Sequence, residues 1–269
     1  MREVAMSGPR TGLASRAWGR VRRSATRLRD RVGGLDIRAS ERRRGVPVPP
    51  GRLIFTVANT ENLDWFLASG TAAATGLVDL LRRNGVELAK LGAVLDFGCG
   101  VGRVLRHWAD ILGPEFHGID YNPSLVAWCR SHLSFAEFGV NTIDGALDYP
   151  DAKFDLAYAF SVFTHLDERL QAFWMSELRR VLKPGGHLVI TTHGDYYLDQ
   201  LEGEERPEYL AGRGVVRKPR PSGSNHCASF HPESAVRDTL ASQFDVVEFV
   251  PEGAIGNPRQ DITLLRKPL

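Results

Sequence analysis

The sequence predicts an α/β protein with a doubly wound, seven-stranded sheet whose last two strands form an antiparallel hairpin. Between about residues 93 and 192, short apolar runs alternate with amphipathic stretches of about ten to fifteen residues, which indicates right-handed βαβ units and parallel strands. Near the C-terminus, two strand-like runs follow each other with only a turn-rich loop between them, which indicates antiparallel pairing at the sheet edge.

Apolar periodicity, helix-start residues and Gly/Pro breakers set the bounds of the predicted elements. The predicted strands are 93–97, 115–119, 138–142, 154–160, 187–192, 244–250 and 262–266. The predicted helices are 71–84, 102–112, 124–133, 167–182 and 232–241. A sharp turn is expected at 183–186, where the sequence reads Lys-Pro-Gly-Gly.

Charge divides the chain into a basic arm and a mildly acidic body. Residues 1–44 hold thirteen arginines against four acidic residues, a net charge of +9, whereas the other residues hold 21 basic against 28 acidic side chains, a net charge of −7. A thin apolar stripe at 13–32 leaves two interpretations open: a solvated tail, or a helix on an anionic membrane surface. The predicted organisation is an arm (1–45), an N-terminal helical cap (46–92) and a main domain (93–269) with a substrate insert at about 195–231.

Composition excludes two broad classes. No apolar run approaches the roughly eighteen residues that a membrane span needs. Three cysteines without a C-x-x-C spacing argue against a disulfide framework and against a zinc knuckle. We therefore expect a cytoplasmic protein, with any membrane association made by the arm, and the oligomeric state stays open.

A glycine loop ends the first predicted strand. The loop has Asp96, Gly98, Gly100 and Gly102 at every second position. The glycines allow the backbone to turn tightly and a ligand to lie against the main chain. Arg103 follows where a phosphate-binding loop needs Lys and where the dinucleotide fingerprint needs its third glycine. The carboxylate of Asp96 suits the ammonium group of S-adenosylmethionine (SAM) and would repel a pyrophosphate, which favours SAM.

An acidic residue at the end of the second strand supports this interpretation. Asp120 lies twenty-four residues after Asp96, at the position from which a carboxylate can accept hydrogen bonds from both ribose hydroxyls. An acid at a strand end is often only a helix-entry residue. In combination with the loop, it forms a constellation that predicts a nucleoside ligand.

These segments resemble the successive motifs of the class I SAM-dependent methyltransferases. The glycine loop, Asp120, the strand 154–160 and the turn 182–186 stand in that family's order and approximate spacing across about residues 90–195. The resemblance implies a Rossmann-like fold, methyl transfer and SAM as cofactor. Two alignments of the adenine contact stay open, on Asn141 or on Asp144. The cofactor-binding residues expected are Asp96, Gly98, Gly100, Gly102, Asp120, Tyr121, Asn141, Asp144 and Ser161.

Four histidines follow the strands whose carboxyl ends should face the acceptor. His165 follows the fourth strand, His193 follows the fifth, and His226 and His231 precede the hairpin. Because an imidazole titrates near neutral pH, each is a candidate general base for a hydroxyl acceptor. The alternative for His165 is that it caps the next helix. A zinc site on His226, Cys227 and His231 would lack a fourth ligand at zinc spacing, so no metal is expected.

The expected acceptor is a small molecule or a glycan. Runs at 48–55, 161–166 and 256–261 resemble bacterial methyltransferases of polysaccharide and glycolipid assembly, which implies methylation of a sugar hydroxyl. Two alternatives stay open: a nucleic-acid methyltransferase whose arm binds phosphates, and a cofactor-binding domain without catalysis. The acidic body and the lack of an Asn/Asp-Pro-Pro-Tyr/Phe sequence weigh against nucleic acid.

Overall fold

The structure is a computed structural model that describes residues 45–217 and 227–269. The predictions for the basic arm and for His226 lie outside the described residues.

A mixed sheet forms the centre of the described part of the chain. The strands are β1 Ala93–Phe97, β2 Glu115–Asp120, β3 Glu137–Val140, β4 Phe154–Ala159, β5 Leu182–His193, β6 Val215–Arg217, β7 Ala228–Phe230, β8 Asp245–Val250 and β9 Gln260–Arg266. Strands β1 to β5 are parallel in the order β3-β2-β1-β4-β5, and β9 pairs antiparallel with both β5 and β8. The predicted α/β fold with a C-terminal antiparallel hairpin is therefore confirmed.

Two short strands in the insert are additional to the predicted seven. β6 and β7 pair antiparallel, and β7 joins the main sheet where Phe230 pairs with His193. Each strand has three residues, too few for a period of two to be visible in the sequence. This hairpin brings the insert to the carboxyl end of β5.

Helices cover both faces of the sheet. Asn62 caps helix α2, Leu63–Arg83, by accepting from Trp65 N, and Asp167 caps helix α4, Glu168–Val181, by accepting from Leu170 N. The predicted helix over 232–241 is α-helical only at its start and continues as a π turn, Val236–Leu240, because Ala241 N donates five residues back to Val236 O. The helices are α1 Gly51–Ala58, α2 Leu63–Arg83, α3 Pro123–His132, α4 Glu168–Val181, α5 Glu205–Leu210 and α6 Glu233–Ala235.

The predicted helix over 102–112 is wrong. A Cβ atom on Gly70 of α2 would collide with Arg103 O, so this carbonyl lies directly against α2. His107 N, which would bond Arg103 O in an α-helix, donates instead to Val104 O at 3.0 Å. Only the 3₁₀ turn Leu105–Trp108 forms.

The turn predicted at 183–186 lies inside a longer strand. β5 begins at Leu182, and its pairing with β4 shifts register between Phe154 and Leu156. Gly185, with a φ of 75°, allows this irregularity, and Gly185 N donates to Lys267 O at 2.9 Å.

Separate hydrophobic clusters fill the two sides of the sheet. One packs α2 and α3 against side chains such as Val189 and Leu264, and the other packs α4 against Ile190 and Leu265. Neighbouring residues of β5 therefore serve opposite faces, as the pleat requires. No helix within residues 45–217 and 227–269 combines the length and the apolar character needed to cross a membrane.

Candidate active site

The glycine loop after β1 has the backbone conformation that the sequence requires. Gly98, Gly100 and Gly102 have φ values of 76°, 56° and 70°, a region in which other residues are strained. Gly98 N and Cys99 N both donate to Ile119 O, at 2.8 and 2.9 Å, and so hold the loop against the end of β2.

Neighbouring side chains leave no room for side chains on this loop. A Cβ atom on Gly98 would collide with Val162 Cγ2, and one on Gly100 would lie 2.7 Å from Val57 Cγ1. Val162 follows β4, and Val57 belongs to α1. Both the turn after β4 and the N-terminal cap therefore lie on the glycine loop.

Asp120 holds the middle of the loop. Its Oδ2 accepts from Gly100 N at 2.9 Å, and its Oδ1 accepts from Asn122 N at 2.8 Å. The residue is 7% exposed, and burial raises the pKa of its carboxyl group. Each carboxylate oxygen has a further lone pair, so the group fits ribose hydroxyls without losing the loop contact. Tyr121, the next residue, is half exposed.

Asp96 lies in a buried polar network beneath the loop. The Tyr158 hydroxyl is hydrogen-bonded to its carboxyl group, and Trp108 Nε1 donates to the Tyr158 oxygen at 3.0 Å. Burial raises the pKa of Asp96 to about 7, against the attraction of the Arg103 guanidinium. A bound cation would favour the charged carboxylate, so this site fits the ammonium end of SAM.

The two candidates for the adenine contact occupy different places. Asn141 N donates to Asp120 O at 3.3 Å, so Asn141 lies beside the proposed ribose site. Asp144 forms an ion pair with Arg169 of α4 at 3.3 Å. The geometry favours Asn141, whereas the Asp144 carboxylate already has a partner on another element.

Ser161 follows β4 in a left-handed conformation, with a φ of 59°. Its N–H donates to Thr191 Oγ1 at 2.8 Å, and its hydroxyl donates to Gln260 Oε1 at 3.0 Å. Thr191 and Gln260 were not candidates on sequence grounds. Gln260 lies in the run 256–261, for which the sequence indicated a family resemblance but no role for any single residue.

His165 and His193 lie together at the carboxyl ends of β4 and β5. Their ring centroids are 6.3 Å apart at an interplanar angle of 88°. His165 Nδ1 is 2.8 Å from Cys227 O, and His193 Nδ1 is 3.1 Å from Ser229 O. Because a carbonyl oxygen only accepts, Nδ1 of each neutral ring carries the hydrogen and Nε2 holds a free lone pair.

Burial keeps both rings neutral. It lowers the pKa of His165, and it lowers the pKa of His193 to about 3 with a further contribution from the charge of His165. A neutral imidazole with a free Nε2 lone pair is the form that a general base needs. The neighbouring histidines at the end of the sheet are therefore in the basic form at neutral pH.

His231 is more deeply buried, at 3% exposure. Gln171 Nε2 donates to Leu166 O at 2.8 Å, which leaves Gln171 Oε1 to accept from His231 Nε2 at 3.0 Å. Burial lowers the pKa of His231 to about 4. This histidine links α4 to the segment after β7 and does not join the pair formed by His165 and His193.

Two cavities lie away from the glycine loop. One of about 290 Å³ lies between α2 and the β8–β9 hairpin. A smaller one of about 80 Å³ is lined by acidic residues that include Asp195, Glu233 and Asp261. Within residues 45–217 and 227–269, no three His, Cys, Asp or Glu side chains form a group that could hold a metal ion.

Known proteins share this fold and these motifs. A family model described as a methyltransferase domain matches residues 95–190. The O-methyltransferase rstn1 of Aspergillus nomiae is 31% identical over 184 residues, which cover 63% of this chain and 72% of that protein. A probable chloroplastic tocopherol O-methyltransferase of Oryza sativa is 31% identical over 125 residues, covering 44% of this chain and 33% of that protein. A solved SAM-dependent methyltransferase structure from Methanosarcina mazei matches with a TM-score of 0.53 and 22% identity, covering 70% of this chain and 97% of that chain.

The chain belongs to the class I SAM-dependent methyltransferases. SAM is the cofactor of this family, and the loop of glycines without room for Cβ atoms, together with the buried Asp96 and Asp120, fits it. The chain spans 33%, 49% and 31% of the length of three of the curated relatives it matches.

Proposed function

We propose that this chain transfers the methyl group of SAM to a hydroxyl group of a small-molecule or glycan acceptor, with a sugar hydroxyl as the first candidate. We further propose that His165 is the general base. The observation that carries the proposal is the contact of His165 Nδ1 with Cys227 O, which leaves Nε2 as a free lone pair.

The chemistry explains why a base is useful. When bound, SAM supplies an electrophilic methyl group on a positively charged sulfur. The protein would place the acceptor oxygen in line with that methyl group and take up the hydroxyl proton while the new C–O bond forms, the S–C bond breaks and neutral S-adenosylhomocysteine leaves. A neutral imidazole at the mouth of the site can take this proton on Nε2.

The position of His165 supports this role. His165 N donates to Val162 O at 2.9 Å, so the two residues belong to one tight turn. Val162 covers Gly98 of the cofactor loop. The same turn thus carries the Val162 side chain that packs on the loop and, three residues later, the imidazole of His165, which supports a role for His165 next to the bound cofactor.

Two further observations support an oxygen acceptor. The relatives rstn1 and tocopherol O-methyltransferase are named for transfer to oxygen. His193 lies beside the proposed base His165, and the centroid of its ring is 4.4 Å from that of the Tyr197 ring. Aromatic rings at the carboxyl end of β5 suit the C–H face of a sugar, which favours a sugar hydroxyl among the acceptors.

The test is a transfer assay with labelled SAM against glycans, small phenols and RNA, with products identified by mass. With the acceptor found, His165→Gln should lower turnover by roughly a hundredfold or more while the affinity for S-adenosylhomocysteine stays at the wild-type value. His132→Gln is the matched control, because His132 Nδ1 also contacts a carbonyl, Trp128 O at 2.8 Å, but lies on α3. Unchanged turnover in His165→Gln would refute the base, and methylation of RNA alone would refute the acceptor class.

A further inference from the structure

We propose that Thr191 and Gln260 are positioning residues. They hold Ser161 in its left-handed conformation, and this conformation directs Val162 onto the cofactor loop and His165 toward the acceptor. The claim that Ser161 directs Val162 onto the cofactor loop depends only on membership of the family. The claim that it directs His165 toward the acceptor rests on the proposed function.

The conformation of Ser161 is the first observation. Its φ of 59° is costly for a residue with a Cβ atom, and such residues persist only where the surroundings determine them. Ser161 lies two residues after the end of β4 and directly before Val162, the residue that packs on Gly98. Strain at this point therefore needs a structural cause and indicates a functional constraint.

The cause is a hydrogen-bonded trio at the ends of three strands. Thr191 Oγ1 accepts from Ser161 N, and its own proton goes to Gln260 Oε1 at 2.7 Å. Gln260 Oε1 also accepts from Ser161 Oγ at 3.0 Å. Thr191 and Gln260 are 0% and 2% exposed, so water does not compete for these bonds. Ser161 is thus held by both its backbone and its side chain.

The chain after Ser161 shows what the trio controls. Val162 packs on Gly98, and His165 closes the turn through its bond to Val162 O. A right-handed Ser161 would redirect both residues at once, because Val162 follows Ser161 directly and His165 is hydrogen-bonded to Val162 in the same turn. Loss of the trio should therefore weaken cofactor binding and slow methyl transfer together.

The neighbouring threonine offers a matched control. Thr192 is as buried as Thr191, but it lies on the other face of β5, and its hydroxyl has no hydrogen-bond partner among the described residues. If the Thr191 hydroxyl served only the stability of the fold, folded Thr191→Val and Thr192→Val would have the same S-adenosylhomocysteine affinity and the same turnover.

The experiment measures S-adenosylhomocysteine affinity by calorimetry and turnover with the identified acceptor. Thr191→Val removes the hydroxyl that accepts from Ser161 N and donates to Gln260 Oε1, so it should weaken the affinity by about tenfold and should also lower turnover. Thr191→Ser keeps the hydroxyl and should restore both values, and Thr192→Val should change neither. A folded Thr191→Val with wild-type affinity would overturn the proposal.

A double variant tests whether the trio acts through the backbone of Ser161. Glycine adopts a positive φ without support, so Ser161→Gly combined with Thr191→Val should recover much of the affinity that Thr191→Val loses. Additive losses would overturn the proposal. If Thr191→Val does not fold, Gln260→Leu against Gln260→Glu, which keeps an acceptor oxygen, makes the same comparison.

The two proposals can fail separately. Affinity for S-adenosylhomocysteine needs no acceptor and no base. Unchanged turnover in His165→Gln with a weakened affinity in Thr191→Val would refute the base and support the positioning role toward the cofactor loop.

Discussion

His165 and His193 donate their Nδ1 hydrogens to carbonyl oxygens two residues apart on one segment, those of Cys227 and Ser229. Carbonyl groups at alternate residues of an extended chain point the same way, so one edge of this segment sets the tautomer of both rings. Phe230 of the same segment pairs with His193 in the sheet. The insert therefore sets the tautomer of His165, the proposed base, and of His193.

The first prediction concerns the pH dependence of turnover. Because burial lowers the pKa of His165, its protonation and the resulting loss of activity should occur below the usual value of 6.5. His193, with a pKa of about 3, should stay neutral throughout and add no second step. A profile of kcat at saturating SAM and acceptor from pH 4.5 to 8 measures this, because bound SAM keeps the Asp96 carboxyl charged and removes its titration near pH 7 from the profile. An acidic limb centred above pH 6.5 would contradict the burial of the base.

The second prediction concerns the glycine loop. Gly98→Ala should abolish S-adenosylhomocysteine binding, because its φ is 76° and the added methyl group would collide with Val162. Gly85→Ala is the matched control: its φ is 79°, but a Cβ atom there meets nothing within 4 Å. The control should cost about 1 kcal/mol of stability and leave binding intact. Equal binding by the two variants would show that the contact with Val162 is unimportant.

Local patterns predicted the parts of the structure that depend on neighbours in sequence. β1 is a short apolar run that ends before Gly98, so both this strand and the glycine loop could be predicted. The sequence could not show that the helix predicted after Gly102 does not form, because this depends on the contact of Arg103 O with Gly70, a residue more than thirty positions earlier. No local propensity encodes such a contact.

The candidate site shows the same division. His165 and Asp120 are candidates on sequence grounds because His165 follows β4 and Asp120 ends β2, which are properties of position along the chain. The hydrogen bonds of Thr191 and Gln260 to Ser161 could not be predicted in this way, because they form only where the ends of β4, β5 and β9 come together. A buried threonine in a strand looks like ordinary packing until its partners are known.

The third prediction concerns Asp120. Asp120→Ala removes the proposed ribose acceptor and leaves Gly100 N without its partner, so cofactor affinity should fall by about 1.5–3 kcal/mol. Asp120→Asn keeps one acceptor oxygen and should lose less. Asp155→Ala is the control, since Asp155 Oδ2 also accepts from two backbone N–H groups, Gly92 N and Ala93 N, but at the opposite end of the sheet.

Calorimetry with S-adenosylhomocysteine separates these variants. Asp155→Ala should unfold at lower denaturant concentration yet bind as the wild type does. If Asp120→Ala folds and binds normally, Asp120 holds neither the loop nor the ribose.

The fourth prediction concerns stability against pH and depends on His231. Its pKa is lowered to about 4 in the folded state against 6.5 as the ordinary value, so above pH 6.5 neither state is protonated and its contribution is fully present. As the pH falls from 6.5 toward 4, only the unfolded state takes up the proton, and stability is lost, on the order of 3 kcal/mol. Asp96 acts in the opposite sense, because its pKa is raised to about 7 and the folded state retains a proton that the unfolded state has lost.

Comparison of two proteins isolates the histidine from this opposing carboxyl group. His231→Gln keeps an N–H donor for Gln171 Oε1 but does not titrate, whereas Asp96 is the same in both proteins. Urea unfolding at pH 7 and pH 4.5 should therefore show a smaller loss of stability in His231→Gln than in the wild type. Equal losses would mean that His231 is protonated as readily in the folded chain as in the unfolded one, which its burial at 3% exposure and its bond to Gln171 do not allow.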